Sequence, residues 1–185
     1  MTPAPRDRVL VFAFSDQRLK ERLSARLCAA YGRWLGGFRT VENRSGTALD
    51  GYAVEALGGG RAVLASRGIV SPVSFNKYAL DLSALERTAL PALESAAAAG
   101  RVLLFDELGP MALKSPLFSG RATELLFSAS PCLVFFRRGA ALFGEAFARM
   151  GDTVIIELKP ENWAEAVAAA ESWLDRLAAD MEMNK

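Results

Sequence analysis

Residues 102–109 read Val-Leu-Leu-Phe-Asp-Glu-Leu-Gly, an apolar run that ends in two adjacent acids. A short apolar run bounded by polar residues predicts a buried strand, with Asp106 and Glu107 at its C-terminal end. Successive side chains of a strand point to opposite faces, so the two acids would have different surroundings. Ligands of open α/β sheets bind at the carboxyl ends of parallel strands. The acids are therefore either half of an active site or the start of a solvated loop, and the run alone favours neither.

The segments around this run alternate between strand and helix patterns, which predicts a three-layer α/β domain with a mostly parallel sheet flanked by helices. An antiparallel meander is predicted beside that sheet. One domain is expected over residues 1–185, frayed at 1–6 and 182–185. The predicted strands of the parallel sheet, besides the acid-bearing one, are 8–14, 132–136 and 153–158. The predicted meander strands are 39–42, 51–57 and 61–66. The predicted helices are 16–31, 80–88, 91–99, 116–127, 139–150 and 160–181.

The composition limits the chemistry that this chain can perform. It contains no histidine, so a Ser-His-Asp triad, a Cys-His pair and histidine-ligated zinc are excluded. Carboxylate-and-magnesium chemistry is then the natural candidate. The net charge of +1 and the dispersed arginines provide no basic surface for nucleic acid, so no nucleic-acid partner is expected.

The cysteines and the apolar runs predict a cytoplasmic protein. Cys28 lies in a helix pattern and Cys132 in a strand pattern, so both are expected to be small core residues kept reduced. No apolar run is long enough to cross a bilayer. The first apolar run is cut off by Ser15 and Asp16, so no signal peptide is expected.

Several short segments follow one another in an order that is typical of one protein family. They read Gly-Gly-Phe-Arg-Thr-Val-Glu-Asn-Arg at 36–44, Gly-Tyr at 51–52, Asn-Lys-Tyr at 76–78, Pro-Ala-Leu-Glu at 91–94, Asp-Glu-Leu-Gly at 106–109, Met-x-Leu-Lys-Ser at 111–115 and Pro-Glu-Asn at 160–162. In order and spacing, the chain resembles the cancer-related nucleoside-triphosphatase family of P-loop proteins, over roughly residues 9–160. The resemblance implies a P-loop-type sheet on which Asp106 accepts a hydrogen bond from a magnesium-bound water and Glu107 orients the attacking water.

The chain departs from this family where a phosphate should bind. The phosphate cradle G-x-x-x-x-G-K-[ST] occurs nowhere in the sequence, and the turn from the first strand to the first helix is about four residues too short for it. The turn contains no glycine, no lysine at the phosphate position and no hydroxyl pair for magnesium. Ser15 or Asp16 is expected to cap the helix instead, and a carboxylate there would repel a polyphosphate. Phe12 and Phe14 are expected to fill part of the vacated volume.

Three functions remain open. The first is a non-hydrolysing binding or regulatory module, and it is favoured because loss of the cradle removes most of the electrostatic stabilisation of phosphoryl transfer. The second is an active Mg-dependent nucleoside triphosphatase that uses Asp106 and Glu107, and the third is a small-ligand binder with a repurposed crevice. Magnesium, with Asp106 as its protein contact, is expected only if nucleotide binding is retained. The expected ligand is a nucleotide or another small anion, and the sequence names no protein partner. The candidate ligand-binding residues are Lys77, Arg44, Arg137, Arg138 and Ser15.

Overall fold

A computed structural model describes residues 7–138 and 140–183, in which nine strands form one sheet flanked by five α-helices. The strands are β1 Val9–Phe14, β2 Leu35–Ser45, β3 Ala48–Ala56, β4 Arg61–Ser66, β5 Ser74–Phe75, β6 Tyr78–Leu80, β7 Val102–Leu108, β8 Cys132–Arg137 and β9 Thr153–Leu158. The α-helices are α1 Gln17–Tyr31, α2 Leu90–Ala98, α3 Pro116–Leu126, α4 Ala141–Arg149 and α5 Trp163–Met183. Shorter helical turns occupy Leu85–Ala89, Ala112–Lys114 and Pro160–Asn162.

The strand order is β5-β6-β4-β3-β2-β7-β8-β1-β9. The strands from β2 to β9 in this order are parallel, whereas those from β5 to β2 are antiparallel. The predicted mostly parallel sheet flanked by helices is therefore confirmed. The acid-bearing strand β7 lies between β2 and β8, near the middle of the sheet, which explains why its apolar run is continuous.

The meander is joined to the parallel sheet through β2, which begins four residues before the predicted start at residue 39. Its first part, Leu35–Phe38, pairs with β7, and the remainder pairs with β3. Gly36, in that first part, allows close packing, because a Cβ there would lie 2.4 Å from the Cβ of Ala96 on α2.

Other boundaries differ from the prediction for local reasons. Residue Leu80, the predicted start of a helix, ends β6 instead, and strands β5 and β6 are too short to give a recognisable pattern. Helix α5 continues to Met183, beyond the predicted end. Residues 1–6, 139, 184 and 185 lie outside the described residues, and so do the frayed ends predicted there.

Two apolar cores hold the three layers together. On one face, Phe12 and Phe14 of β1 pack among side chains of α1 and α5. On the other face, Val9 and Val11 of the same strand belong to a core that includes residues of α2, α3 and α4. This alternation along β1 follows from the period of two in a strand. No helix in the described part of the chain is both long enough and apolar enough to cross a membrane.

Candidate active site

The two acids at the end of β7 are buried side chains of a strand and do not begin a solvated loop. Asp106 has no exposed surface and Glu107 is 7% exposed. The pairing of β7 with β8 shifts register between Phe105 and Leu108, so the acids occupy an irregularity in the ladder. Such irregularities re-aim side chains near the ends of strands. The two carboxylates have different neighbours.

Asp106 forms a buried ion pair with Lys20 of α1. The Lys20 Nζ lies 3.0 Å from Asp106 Oδ2, and neither side chain is exposed. The same carboxylate oxygen accepts a hydrogen bond from the backbone N–H of Thr40 at 2.9 Å, and Lys20 Nζ also donates to the Thr40 carbonyl at 2.8 Å. Asp106 Oδ1 has no hydrogen-bond partner among the described residues. Lys20 and the backbone of β2 therefore satisfy one oxygen of this carboxylate.

Sequence reasoning missed Lys20, although the pattern of α1 contains a signal for it. Lys20 is three residues before Leu23 and seven before Leu27, which places it on the buried stripe of the helix. Ser24, one turn further along, is also buried. A lysine inside an apolar stripe needs a buried acid as its partner, because an unpaired buried ammonium is very costly. Asp106 is that acid, 86 residues away in sequence.

The residues around Asp106 do not suit a magnesium ion. Oδ2 already accepts hydrogen bonds from an ammonium and a backbone amide, and an ion at this oxygen would lie next to the like charge of Lys20. Among the described residues, no group of three or more Cys, Asp or Glu side chains could hold a metal. The cation beside Asp106 is thus supplied by the chain itself.

Glu107 is paired with Arg137, which projects from the end of the neighbouring strand β8. Arg137 Nε donates to Glu107 Oε1 at 2.9 Å. The same guanidinium also donates to Gln17 Oε1, at the start of α1, and lies 4.7 Å from the ring centroid of Phe14. Glu107 Oε2 has no hydrogen-bond partner in the described structure. Each acid therefore has one paired and one unpaired carboxylate oxygen, and the two acids differ in the cation that each one meets.

Glu107 also lines a cavity of about 210 Å³. Burial, and then the charge of Glu107, raise the pKa of Tyr52, so its phenol is neutral at physiological pH. A larger cavity of about 410 Å³ lies between α2 and the 58–60 turn, and neither Asp106 nor Glu107 lines it. Six of the residues that line the smaller cavity are Tyr52, Phe75, Asn76, Tyr78, Glu107 and Arg137.

Asp16 caps the N-terminus of α1, the helix end at which the family's phosphate cradle would lie. Its Oδ1 accepts hydrogen bonds from the N–H groups of Arg18 at 2.8 Å and Leu19 at 3.3 Å. Of the two predicted caps, Asp16 is the one used, and Ser15 is exposed. The helix dipole is thereby complemented by a side chain of the protein.

Phe12 and Phe14, at the end of β1, are fully or almost fully buried. Phe12 stacks on Phe135 of β8 with 5.6 Å between ring centroids. Burial of each ring stabilises the fold by about 1.5–3 kcal/mol. The phenylalanines therefore serve as packing residues in the core between the sheet, α1 and α5.

The structure brings only part of the predicted ligand-binding set together. Arg137 lines the cavity, and Lys77 follows the lining residue Asn76, with its Nζ 5.3 Å from the ring centroid of Tyr78. Arg44 lies in the β2–β3 hairpin, where it pairs with Glu42 and donates to the Thr47 carbonyl. At ~3.3 Å per residue, its position is roughly 13 Å along the strand from Thr40.

Arg138 is turned away from the two acids. Its guanidinium lies 2.5 Å from Glu157 of β9, and its side chain is largely exposed. Arg44 and Arg138 are thus surface ion-pair residues in this structure, whereas Arg137 belongs to the carboxylate site.

A sheet of this order, with helices on both faces and two acids at the end of a central strand, defines a P-loop-NTPase-like α/β protein. A family model described as NTPase (NTPase_1) matches residues 20–170. The chain belongs to this family. The match begins at Lys20, so β1 and the turn into α1 lie outside it.

Individual relatives agree with this assignment. The chain is 30% identical over 127 residues to nucleoside-triphosphatase THEP1 of Thermotoga maritima, covering 69% of this chain and 73% of the relative. It is 29% identical over 150 residues to the protein of the same description from Thermococcus kodakarensis, covering 77% and 82% of the two chains.

Two solved structures share the fold. The crystal structure of THEP1 from Aquifex aeolicus superposes with a TM-score of 0.80 at 22% identity, covering 90% of this chain and 98% of the other. The solution structure of a human cancer-related nucleoside triphosphatase gives a TM-score of 0.70 at 25% identity, covering 90% and 97%.

Proposed function

We propose that this chain is a non-hydrolysing member of the nucleoside-triphosphatase family that acts as a binding or regulatory module. The Lys20–Asp106 ion pair carries this proposal. Both groups are fully buried, and the ammonium lies against the carboxylate that would otherwise face a magnesium-bound water. The positive charge at the reacting centre is therefore fixed inside the fold and is not available to a phosphate.

The beginning of α1 supports the same conclusion. Catalysis of phosphoryl transfer depends on positioning and on electrostatic stabilisation by backbone N–H groups, a lysine and a metal ion. In this chain, Asp16 accepts hydrogen bonds from the backbone N–H groups of Arg18 and Leu19 in the first turn of the helix. The sequence contains no glycine-rich cradle. An incoming polyphosphate would meet a carboxylate in place of donors.

The active alternative would hydrolyse nucleoside triphosphates with magnesium, using Asp106 and Glu107. It requires Lys20 to leave Asp106 or to accept a metal ion as a close neighbour. It also requires Glu107 Oε2 to orient a water, for which this oxygen is free of protein donors among the described residues. The first requirement makes this alternative the weaker one.

A second candidate is a small-ligand binder, and the cavity beside Glu107 favours it. That cavity lies at the carboxyl end of β7 and β8, where ligands of open α/β sheets bind.

We also place the protein in the cytoplasm, which the two unpaired cysteines, Cys28 and Cys132, support.

Phosphate release from ATP and GTP with magnesium tests the proposal. The protein is compared with its Glu107→Gln variant and with the Thermotoga maritima relative as a positive control. We expect release from the relative and none above the protein-free blank from this chain. Magnesium-dependent release that disappears in Glu107→Gln would overturn the proposal. Thermal stabilisation by nucleotide without turnover would identify a nucleotide-binding module, and its absence would favour the small-ligand binder.

A further inference from the structure

We infer that the cavity beside Glu107 binds a small, uncharged ring compound that carries a hydrogen-bond donor. This inference rests on the proposed function, since it names the ligand of a binding module. The cavity, of about 210 Å³, lies between the end of β7 and the antiparallel half of the sheet. It is separate from the buried Lys20–Asp106 pair, because neither of those residues lines it.

Two buried polar atoms on residues that line the cavity lack partners. Glu107 Oε2 and Tyr78 Oη have no hydrogen-bond partner among the described residues, although the two residues are only 7% and 5% exposed. Leaving a buried polar atom unpaired destabilises a protein, so such atoms generally have a partner that the polypeptide does not supply. A carboxylate oxygen can only accept, so the partner of Glu107 Oε2 must be a donor.

The charges around the cavity favour an uncharged ligand. Glu107 and Arg137 both line it and are paired with each other, so their charges cancel locally. Glu42, whose charge acts on Tyr52, is paired with Arg44, so this second pair is also neutral, and the ammonium of Lys77 lies over the Tyr78 ring. A charged ligand of either sign would meet one like and one opposite charge in the Glu107–Arg137 pair, so neither sign gains a net attraction from it.

The walls of the cavity favour a ring. Tyr52, Phe75 and Tyr78 line it, and the two tyrosine rings meet edge to face with 5.9 Å between their centroids. Aromatic rings attract further rings in edge-to-face or offset contacts. Met111, which also lines the cavity, has a flexible side chain that adapts to irregular shapes. The donor would bind Glu107 while the ring packs against the tyrosines.

Three probes of similar size separate the contribution of the donor from that of charge. N-methylbenzamide has one N–H, and methyl benzoate has a similar shape without an N–H. Benzoate is an anion without a donor. Their dissociation constants are measured by ligand-observed NMR on the intact protein, without nucleotide or magnesium. We expect the amide to bind at least about tenfold more tightly than the ester, as for a hydrogen bond to a charged acceptor. Benzoate should bind more weakly than the amide.

Two variants assign the effect to the residues named. In Glu107→Leu the amide should lose its advantage over the ester, and in Tyr78→Phe, which keeps the ring, amide affinity should fall by a smaller factor. Glu94→Gln, on the exposed surface of α2, should change neither. Equal binding of amide and ester, tighter binding of benzoate, or an amide preference that survives Glu107→Leu would overturn the inference. Because the probes contain no phosphate, this result is independent of hydrolysis: nucleotide turnover would overturn the proposed function alone.

Discussion

Asp106 and Glu107 are neighbours in sequence, yet one belongs to a closed part of the molecule and the other to an open part. One oxygen of Asp106 is satisfied by Lys20 of α1 and by the backbone N–H of Thr40 in β2, without any exposure to solvent. One oxygen of Glu107 is satisfied by Arg137 at the end of β8, and Glu107 also lines a cavity together with residues of the antiparallel half of the sheet. Each carboxylate is paired with a cationic side chain of the protein. The cavity that could hold a ligand is lined by Glu107 and not by Asp106.

Under the proposed function, one strand would carry a structural carboxylate and a binding carboxylate side by side. A carboxylate paired inside the core is costly to disturb, because either charge alone would be buried without compensation. A carboxylate at the edge of a cavity can exchange partners, because water or a ligand can replace a lost contact. The Asp106 side is therefore expected to determine stability, and the Glu107 side to determine binding.

The largest expected effect comes from removing the cation on the closed side. Lys20→Met should reduce the free energy of unfolding by about 3–5 kcal/mol, because Asp106 would be left buried and unpaired. The matched variant Arg137→Met removes the cation on the open side and should cost only about 1–2 kcal/mol, since Glu107 can be reached through the cavity. Urea denaturation of both variants measures the difference. If both variants lost the same free energy of unfolding, the expected difference between the surroundings of Asp106 and Glu107 would be wrong.

A double variant sharpens that result. Lys20→Met combined with Asp106→Leu should recover part of the lost stability, because no buried charge is left unpaired, although the Thr40 N–H and carbonyl lose these partners. If the double variant were less stable than Lys20→Met alone, the cost would come from lost packing and not from an unpaired charge.

A smaller effect is expected at the N-terminus of α1. Asp16→Ala removes the cap that accepts the N–H groups of Arg18 and Leu19, and should cost about 1 kcal/mol of stability. The same denaturation measurement gives this value, with Ser15→Ala as a control that should be nearly neutral. If Asp16 excludes phosphate only by occupying these donors, the variant should also gain weak affinity for inorganic phosphate. No gain would show that the short turn itself prevents binding.

The last expected effect is a pH dependence on the closed side, and it is absent at neutral pH. Burial, and then the charge of Asp106, raise the pKa of the Cys28 thiol from 9.0 to about 11. Between these values the unfolded chain has lost the proton and the folded chain retains it, so stability falls as pH rises from 9 towards 11. The slope from this group is at most about 1 kcal/mol per pH unit. Cys28→Ala should have a shallower decline of unfolding free energy over this interval, and an unchanged slope would contradict the assignment.

Local patterns in the sequence account for much of the fold. The alternation of strands and helices predicts the mostly parallel sheet, and Ser115 before Pro116 predicts the cap of α3, where Ser115 Oγ accepts the Phe118 N–H. The start of β2 at Leu35 was not predicted, because glycine has a low strand propensity and the packing of Ala96 against Gly36 is a tertiary contact. Strands β5 and β6 were missed because two or three residues carry no periodicity.

The candidate site was predicted only in part. The family resemblance, which implies a basic pair after this strand, makes Arg137 a candidate ligand-binding residue, and in the structure Arg137 is paired with Glu107. Arg44 was expected there from the family resemblance, but the hairpin carries it away to pair with Glu42. Sequence spacing shows which element a residue belongs to, whereas the length and twist of the strands decide how far along the sheet it lies.

The sequence by itself determined three things about this protein: two acids at the end of a buried strand, the absence of a phosphate cradle, and a short turn before the first helix with Ser15 and Asp16 as its candidate caps. These follow from residue order, because strands, caps and loops are local structures. Only the tertiary structure decided which cation each acid meets. Lys20 reaches Asp106 from 86 residues away because α1 packs across the sheet with its buried stripe over the end of β7. That contact depends on packing between elements, and it gives two adjacent carboxylates different partners.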